Sequence, residues 1–389
     1  MKRDAITGEV RDIMIEFADQ TGVSTSKKPP RRYLWTDAFA VCNFLTLYRQ
    51  TGEEEYKDLA LCLIDQVHNI LGRHRADDPR TGWISGLSEA EGQSHPTAGG
   101  LRIGKKLNER GPNELFDERL EWERDGQYYH YLTKWMHALE RVGGITGDPK
   151  YCRWSVELAE AAHAGFTYVS TAGGAKRMCW KMSIDLTHPL VPSMGLHDPL
   201  DGFVTYNELR MCTEGHSDTS IFPDLSAEIA ETAKMCEGQN WETDDPLGIG
   251  GLLFDACRLS QMTVKGYFRA RGFLEVLLGS SQYGLNAFVR QNPLSASADY
   301  RLAFRELGLS IGLKAVAKMR DLFDGNPGLF EDRLFQQIEG LMQYVPLSGT
   351  IETFWHNPAN QQTKSWLAHR DINMVMLATS LAPEEFLSL

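Results

Sequence analysis

An all-α chain, folded as an (α/α)6 toroid of helical hairpins with long rim loops and little β structure, is what this sequence predicts, and three observations carry the prediction. Apolar residues return every three or four positions in nearly every long segment, the period of a helix with a buried face. Two stretches repeat one plan: a polar head with an Asp, an apolar helix, a Thr-Gly-acidic hinge ending in Tyr, and a second, amphipathic helix. The first runs from Trp35-Thr36-Asp37 through Thr51-Gly52-Glu53-Glu54-Glu55-Tyr56, and the second from Arg124-Asp125-Gly126 through Thr146-Gly147-Asp148-Pro149-Lys150-Tyr151. Finally, helical segments without a hairpin partner stand at both ends of the chain. Open solenoids need polar end caps, whereas two unmatched helices invite closure into a ring.

The hairpins follow in order. Ala38 to Tyr48 is almost continuously apolar, so its helix is enclosed; Tyr56 to Leu71 alternates apolar and charged positions, so its helix faces solvent on one side. Tyr128 to Val142 pairs with Tyr151 to Phe166, and Phe203 to Met211 with Leu225 to Cys236. Pro246 to Ser260 pairs with Tyr267 to Val289, where Gly279 marks a potential break. Tyr300 to Met319 pairs with Leu329 to Tyr344. The enclosed segment Ile372 to Leu381 has no successor, and Val10 to Ala18 is expected to close the ring against it. Six hairpins of this size make residues 1–389 one toroid domain.

Counting from each Asp to the Thr of its hinge makes the second inner helix about two turns longer than the first. Three connections, Glu89 to Glu121, Val169 to Gly202 and Pro346 to Ala368, are too long to be turns and are expected as rim loops. Within the middle one, Lys176 to Ile184 reads as a strand or small hairpin.

Composition narrows the function. In 389 residues the hydrophobic fraction is 42% and the charged fraction 24%, those of an ordinary globular chain, and the formal charge of -12 argues against nucleic acid and anionic membranes as partners. The basic runs Arg73-His74-Arg75 and Lys105-Lys106 are short, and read as solvated surface or as holders of an anionic ligand group. No signal-peptide core or membrane span is expected, which makes the cytoplasm the expected location. The seven cysteines lack CxxC spacing and read as reduced core thiols. No HExxH or tight Cys/His grouping and no GxSxG elbow occurs, so no metal and no serine nucleophile are expected. Gly99-Gly100-Leu101-Arg102-Ile103-Gly104 is neither a GxGxxG nor a P-loop, so no cofactor is expected.

The Thr-Gly-acidic hinges, the Asp-led inner helices and Lys364-Ser365-Trp366-Leu367-Ala368-His369-Arg370 together resemble the six-hairpin, (α/α)6-toroid superfamily of carbohydrate enzymes. That superfamily includes unsaturated glucuronyl hydrolases, other toroidal glycosidases and the N-acylglucosamine 2-epimerase group. The resemblance implies a sugar or oligosaccharide pocket at one end of the ring, lined from the starts of the inner helices. The candidates it selects are Asp37, Asp125 with Tyr129 and His130, His197 with Asp198 and Asp201, Asp244 with Asp245, and His369 with Arg370 and Asp371. Carboxylates bind hydroxyl pairs and aromatic faces stack on sugar rings, so Trp355 on its loop is a further candidate wall. Thr36, Asp37, Asp125, Asp245 and Asp371 equally suit helix capping.

Hydrolysis of a glycosidic bond needs one carboxylic acid and one carboxylate. Asp125, set among Glu121, Trp122, Arg124 and Gly126, is the first candidate, with Asp37 or Asp245 as its partner. An epimerase would instead use two bases beside a carbonyl, His369 with His197 or His130. From another class stands a non-catalytic helical-repeat binding protein. The hydrolase is the leading expectation; the sugar and the oligomeric state are left open.

Overall fold

The computed structural model describes residues 2–23, 28–111, 113–169, 176–269 and 271–389. In chain order the first hairpin and its approach are α1 (Lys2–Thr21), α2 (Leu34–Thr51) and α3 (Glu54–Leu71). Short helices α4 (Glu89–Ser94) and α5 (Glu118–Glu123) follow, then β1 (Gln127–Tyr128), α6 (Tyr129–Thr146) and α7 (Pro149–Phe166). Next come β2 (Thr167–Val169), β3 (Lys176–Met178), β4 (Lys181–Met182), β5 (Pro189–Val191), α8 (Asp198–Glu214) and α9 (Ser226–Cys236). The remainder is α10 (Pro246–Val264), α11 (Arg271–Gln291), α12 (Ala303–Gly325), α13 (Asp332–Met342), α14 (Pro346–His356), α15 (Lys364–Ala368) and α16 (Arg370–Leu381). No helix among the described residues is long and apolar enough to cross a membrane.

Both Thr-Gly hinges close in the same way. The hydroxyl of Thr51 donates to the Leu47 carbonyl and that of Thr146 to the Val142 carbonyl, each at 2.8 Å, and each hydroxyl accepts an N–H two residues on. The next residue turns left-handed, Gly52 at φ 74° and Gly147 at φ 70°, and Asp148 then caps α7 through the Lys150 N–H. A side chain in that backbone region meets the carbonyl that follows it. Gly147→Ala is therefore expected to lower stability by about 1 kcal/mol in urea unfolding, although the added Cβ meets nothing within 4 Å. Gly8→Ala, equally uncrowded but inside α1, is expected to raise stability by about 0.5–1 kcal/mol.

Two compact units emerge, one from Met1–Phe17, Cys42–Glu53 and Gln239–Leu389, the other from Ala18–Val41 and Glu54–Gly238. In the first, α10 and α12 cross at glycines, where a Cβ on Gly312 would lie 2.6 Å from the Gly250 Cα. Phe254 stacks on Phe386 at 4.4 Å, and Asn43 binds the Val375 carbonyl and the Thr379 hydroxyl. In the second, the buried Trp135 donates to His68 at 3.1 Å, and the His68 ring meets Trp154 edge-on. Burial pushes the His68 pKa down to about 3, keeping the imidazole neutral as an acceptor.

Three expectations about elements are corrected. Pro346 to Ala368 is mostly helical, as α14 and α15, because Leu347, Ile351 and Trp355 recur at helical spacing. Helix α11 runs unbroken through Gly279. Helices α2 and α6 are both 18 residues long, so the second inner helix is not longer. Asp125 precedes β1, outside the helix. Of the Val169 to Gly202 connection, residues 170–175 lie outside the described residues; the rest holds β3, β4 and β5, of which β3 pairs antiparallel with β2, and β4 lies between β1 and β5.

Candidate active site

Four predicted residues of the unit Ala18–Val41 and Glu54–Gly238 meet at the first turns of α6 and α8. The sheet β1-β4-β5 positions this end of α6: Tyr128 pairs with Lys181, and the Tyr129 N–H donates to the Trp180 carbonyl at 3.2 Å. Helix α8 opens His197-Asp198-Pro199-Leu200-Asp201, with His197 at the half-buried N-cap and both carboxylates in the first turn. There the helix dipole favours negative charge.

Asp201 is 5% exposed. Its Oδ2 accepts the Thr133 hydroxyl at 2.5 Å, and Lys134 Nζ donates to both carboxylate oxygens at 2.8 Å. Asp198, one turn earlier and equally buried, is differently placed: its Oδ1 lies 3.7 Å from His130 Nδ1, and its Oδ2 has no hydrogen-bond partner among the described residues. Burial, then the Asp201 charge, raises its pKa to about 7, against the opposing effects of Lys134 and the Gly195 backbone. A Cβ on residue 195 would sit 2.4 Å from Oδ2, so a side chain there would push the Asp198 carboxyl aside. The result is two neighbouring carboxyl groups with separated roles, one proton-holding near neutrality and one paired with a lysine.

Aromatic rings lead up to the acids. His130 stacks on Tyr128 at 5.6 Å and meets the edge of Tyr131 at 4.9 Å. Desolvation lowers its pKa, with Asp201 opposing and Lys134 adding to the shift, tempered because 40% of the side chain is exposed. The Tyr131 hydroxyl meets that of Tyr33 at 2.8 Å, with Lys105 Nζ 5.4 Å above the Tyr33 ring and Trp35 6.2 Å from Tyr131. On the other side Tyr128 contacts Trp180 at 5.1 Å, and Trp180 contacts the exposed Trp122 at 5.4 Å.

The other predicted residues of this unit are core. Asp125 is fully buried and accepts from Arg75 at 3.2 Å, Arg102 at 2.9 Å, the Gly104 N–H at 2.9 Å and the Gly126 N–H at 3.1 Å. That saturated carboxylate ties the 70s and 100s loops together. Asp125→Ala would strand two arginines and is expected to destabilise by about 3–5 kcal/mol, read from denaturant midpoints. Asp37 is 1% exposed, accepts the Tyr33 N–H at 2.9 Å and lies 3.5 Å from Arg32, which is the capping role. Tyr129 is buried with its hydroxyl on Tyr206 at 2.8 Å.

In the unit containing Gln239–Leu389, Asp245 caps α10 through the Gly248 N–H and binds Arg305 at 2.6 Å. His369 is exposed at the start of α16 with its ring against Phe304. Arg370 pairs with Glu16 beside a cavity of about 240 Å3 lined also by Gln361, Trp366 and Leu367. Trp355 is fully buried, stacks on Trp366 and donates to Glu306 at 2.7 Å. It anchors α14 in the core and offers no face to a ligand.

Sequence reasoning missed Tyr33, Tyr131, Thr133 and Lys134 in this arrangement, and named Lys105 only as part of a short basic run. Thr133 and Lys134 were visible as the residues three and four beyond His130, which share its helix face.

Among solved structures the chain is similar to a GH76A alpha-1,6-mannanase from Salegentibacter sp. HEL1_6, with a TM-score of 0.50 and 14% identity over 98% of this chain and 100% of that one. An inactive double Asp-to-Asn variant of that mannanase, in complex with alpha-1,6-mannotriose, gives a TM-score of 0.50 and 13% identity over 97% and 99%. A sugar epimerase from a ruminal bacterium gives 0.43 and 8% over 87% and 86%. No protein-family model and no curated protein matches the chain. The mannanase likeness establishes the fold: the chain is an all-α (α/α)6 toroid, as its sequence predicts.

Proposed function

We propose that the protein is a glycoside hydrolase acting on a sugar or short oligosaccharide. The observation that carries this reading is the buried pair Asp198 and Asp201, in which burial and the neighbouring charge hold one carboxyl protonated near pH 7. Asp198 donates its proton to the glycosidic oxygen as the bond to the anomeric carbon breaks. Asp201 stabilises the positive charge on that carbon and takes the proton of the water that adds to it. His130, Tyr131 and Tyr33 supply stacking faces and hydroxyl contacts, while Lys134 pairs with Asp201. The mannanase, whose inactive variant was captured with mannotriose, supports an oligosaccharide as the ligand class. Seven free cysteines accord with a reducing, cytoplasmic setting.

Reducing-sugar release from a panel of linked oligosaccharides, alpha-1,6-mannosides included, tests the reading. Release by the wild-type protein supports it; no release from any linkage overturns it. A second reading rests on the 3.7 Å approach of His130 to Asp198, which suits two-base epimerisation of a free sugar. Deuterium uptake from solvent into a monosaccharide, without bond cleavage, would favour that chemistry.

A further inference from the structure

The seam between α6 and α8 stays polar along its length. Below Thr133 and Asp201 comes the buried pair His137 and Glu208, with Nδ1 2.6 Å from Oε1, and beside it the buried Glu140. Farther along, where α8 ends and α7 begins, Cys152, Cys212 and His216 bring three ligand atoms within 4.8 Å of one another. They come from three places: Cys152 from the first turns of α7, Cys212 from the last turn of α8, and His216 from the turn beyond it. That turn is fixed by the His216 N–H donating to the Thr213 carbonyl at 3.1 Å, which returns the imidazole to the level of Cys212.

We propose that Cys152, Cys212 and His216 form a zinc site, with its fourth position open to water, that joins the start of α7 to the end of α8. Two thiolates and one imidazole are a donor set suited to zinc, and a water completes the tetrahedron. The ligand atoms need only draw together by about an ångström to reach Zn–S distances near 2.3 Å and Zn–N distances near 2.0 Å. Binding releases two protons, one from each thiol. The hydrogen bond with Cys152 and burial, and after them the charges of Glu140 and Glu208, raise the Cys212 pKa, and the same two negative charges favour a divalent cation there. The neighbouring His137, Glu140 and Glu208 group is a weaker candidate, because its imidazole is already bound to Glu208. Cys212 lies eleven residues beyond Asp201, roughly 16 Å along the helix, so the site is separate from the proposed hydrolytic centre and its fate is independent of that reading.

The full-length protein, stripped with a chelator under reducing conditions, is titrated with Co2+ and then Zn2+. One Co2+ per chain is expected to produce a thiolate-to-cobalt charge-transfer band with the intense visible bands of a tetrahedral site, and Zn2+ is expected to displace it and raise the thermal midpoint. Cys212→Ser should at least halve the charge-transfer band, since only the Cys152 thiolate remains, and weaken Zn2+ binding by more than the roughly 10–100-fold that loss of an outer partner brings. His216→Ala, at a half-exposed position, covers the case in which the first variant does not fold: it should keep a charge-transfer band but shift the visible bands. A reduced wild-type protein that gives no charge-transfer band, or a Cys212→Ser spectrum matching the wild type, overturns the proposal. So does closure of a Cys152–Cys212 disulfide on mild oxidation in protein that binds neither metal when reduced.

Discussion

Asp198→Asn is expected to reduce kcat/KM for glycoside cleavage by about 10^2 to 10^4, the range in which a positioned general acid contributes, while leaving substrate binding nearly intact. The side chain keeps its shape and loses only the transferable proton. The loss should be largest for poor leaving groups, because an activated aryl glycoside departs without protonation. In the wild-type protein the rate should fall as pH rises through about 7, where Asp198 loses that proton, and the falling limb should vanish in the variant. Lys134→Met should move the same limb to higher pH: Lys134 opposes the raised pKa of Asp198, and its removal leaves the negative field of Asp201 uncompensated. A kcat/KM for Asp198→Asn within threefold of wild type on an unactivated substrate would remove Asp198 from the mechanism.

The hinges were legible because their chemistry is local. A Thr hydroxyl turning back on the preceding helical turn, a glycine in the left-handed region and an Asp cap all involve residues within a few positions of one another. Counting back from those hinges aligns Leu34 with Tyr129 and Trp35 with His130, since both helices have 18 residues. Aligning the two Asp residues instead gave the wrong register. Asp37 is inside its helix, whereas Asp125 lies before a strand and answers to Arg75 and Arg102, which are distant in sequence.

The candidate site was legible as a region and not as chemistry. His130, His197, Asp198 and Asp201 were drawn from inner-helix starts, and they do sit at the first turns of α6 and α8. Which Asp can hold a proton depends on its partners, most of them distant in sequence: Lys134 and Thr133 take Asp201, Arg305 takes Asp245, and the nearby Arg32 stands beside Asp37. Asp198 is set apart because its Oδ2 has no hydrogen-bond partner among the described residues. Trp355 shows the same limit from the apolar side, because a Trp near a loop reads as a wall until Glu306 and Trp366 enclose it.

The proton that makes Asp198 an acid also gives the fold a pH signature. Its folded pKa of about 7 lies above the unfolded value near 3.9, so between these values the folded state binds more protons than the unfolded one. Stability from this group is therefore fully present below about pH 4 and is lost as pH rises through about 7, by about 1.4 kcal/mol per pH unit and on the order of 4 kcal/mol in all. Asp198→Asn removes the buried charge that forms at high pH. Relative to wild type, the variant is expected to be more stable by a few kcal/mol at pH 8 and nearly equal at pH 4, measured as urea midpoints at the two pH values. A difference that does not change with pH would mean that Asp198 ionises in the folded protein as it does in water. The opposite signs of the two Asp198→Asn effects, lost activity with gained stability, are what a buried acid retained for chemistry predicts, and a residue kept for packing would lose both.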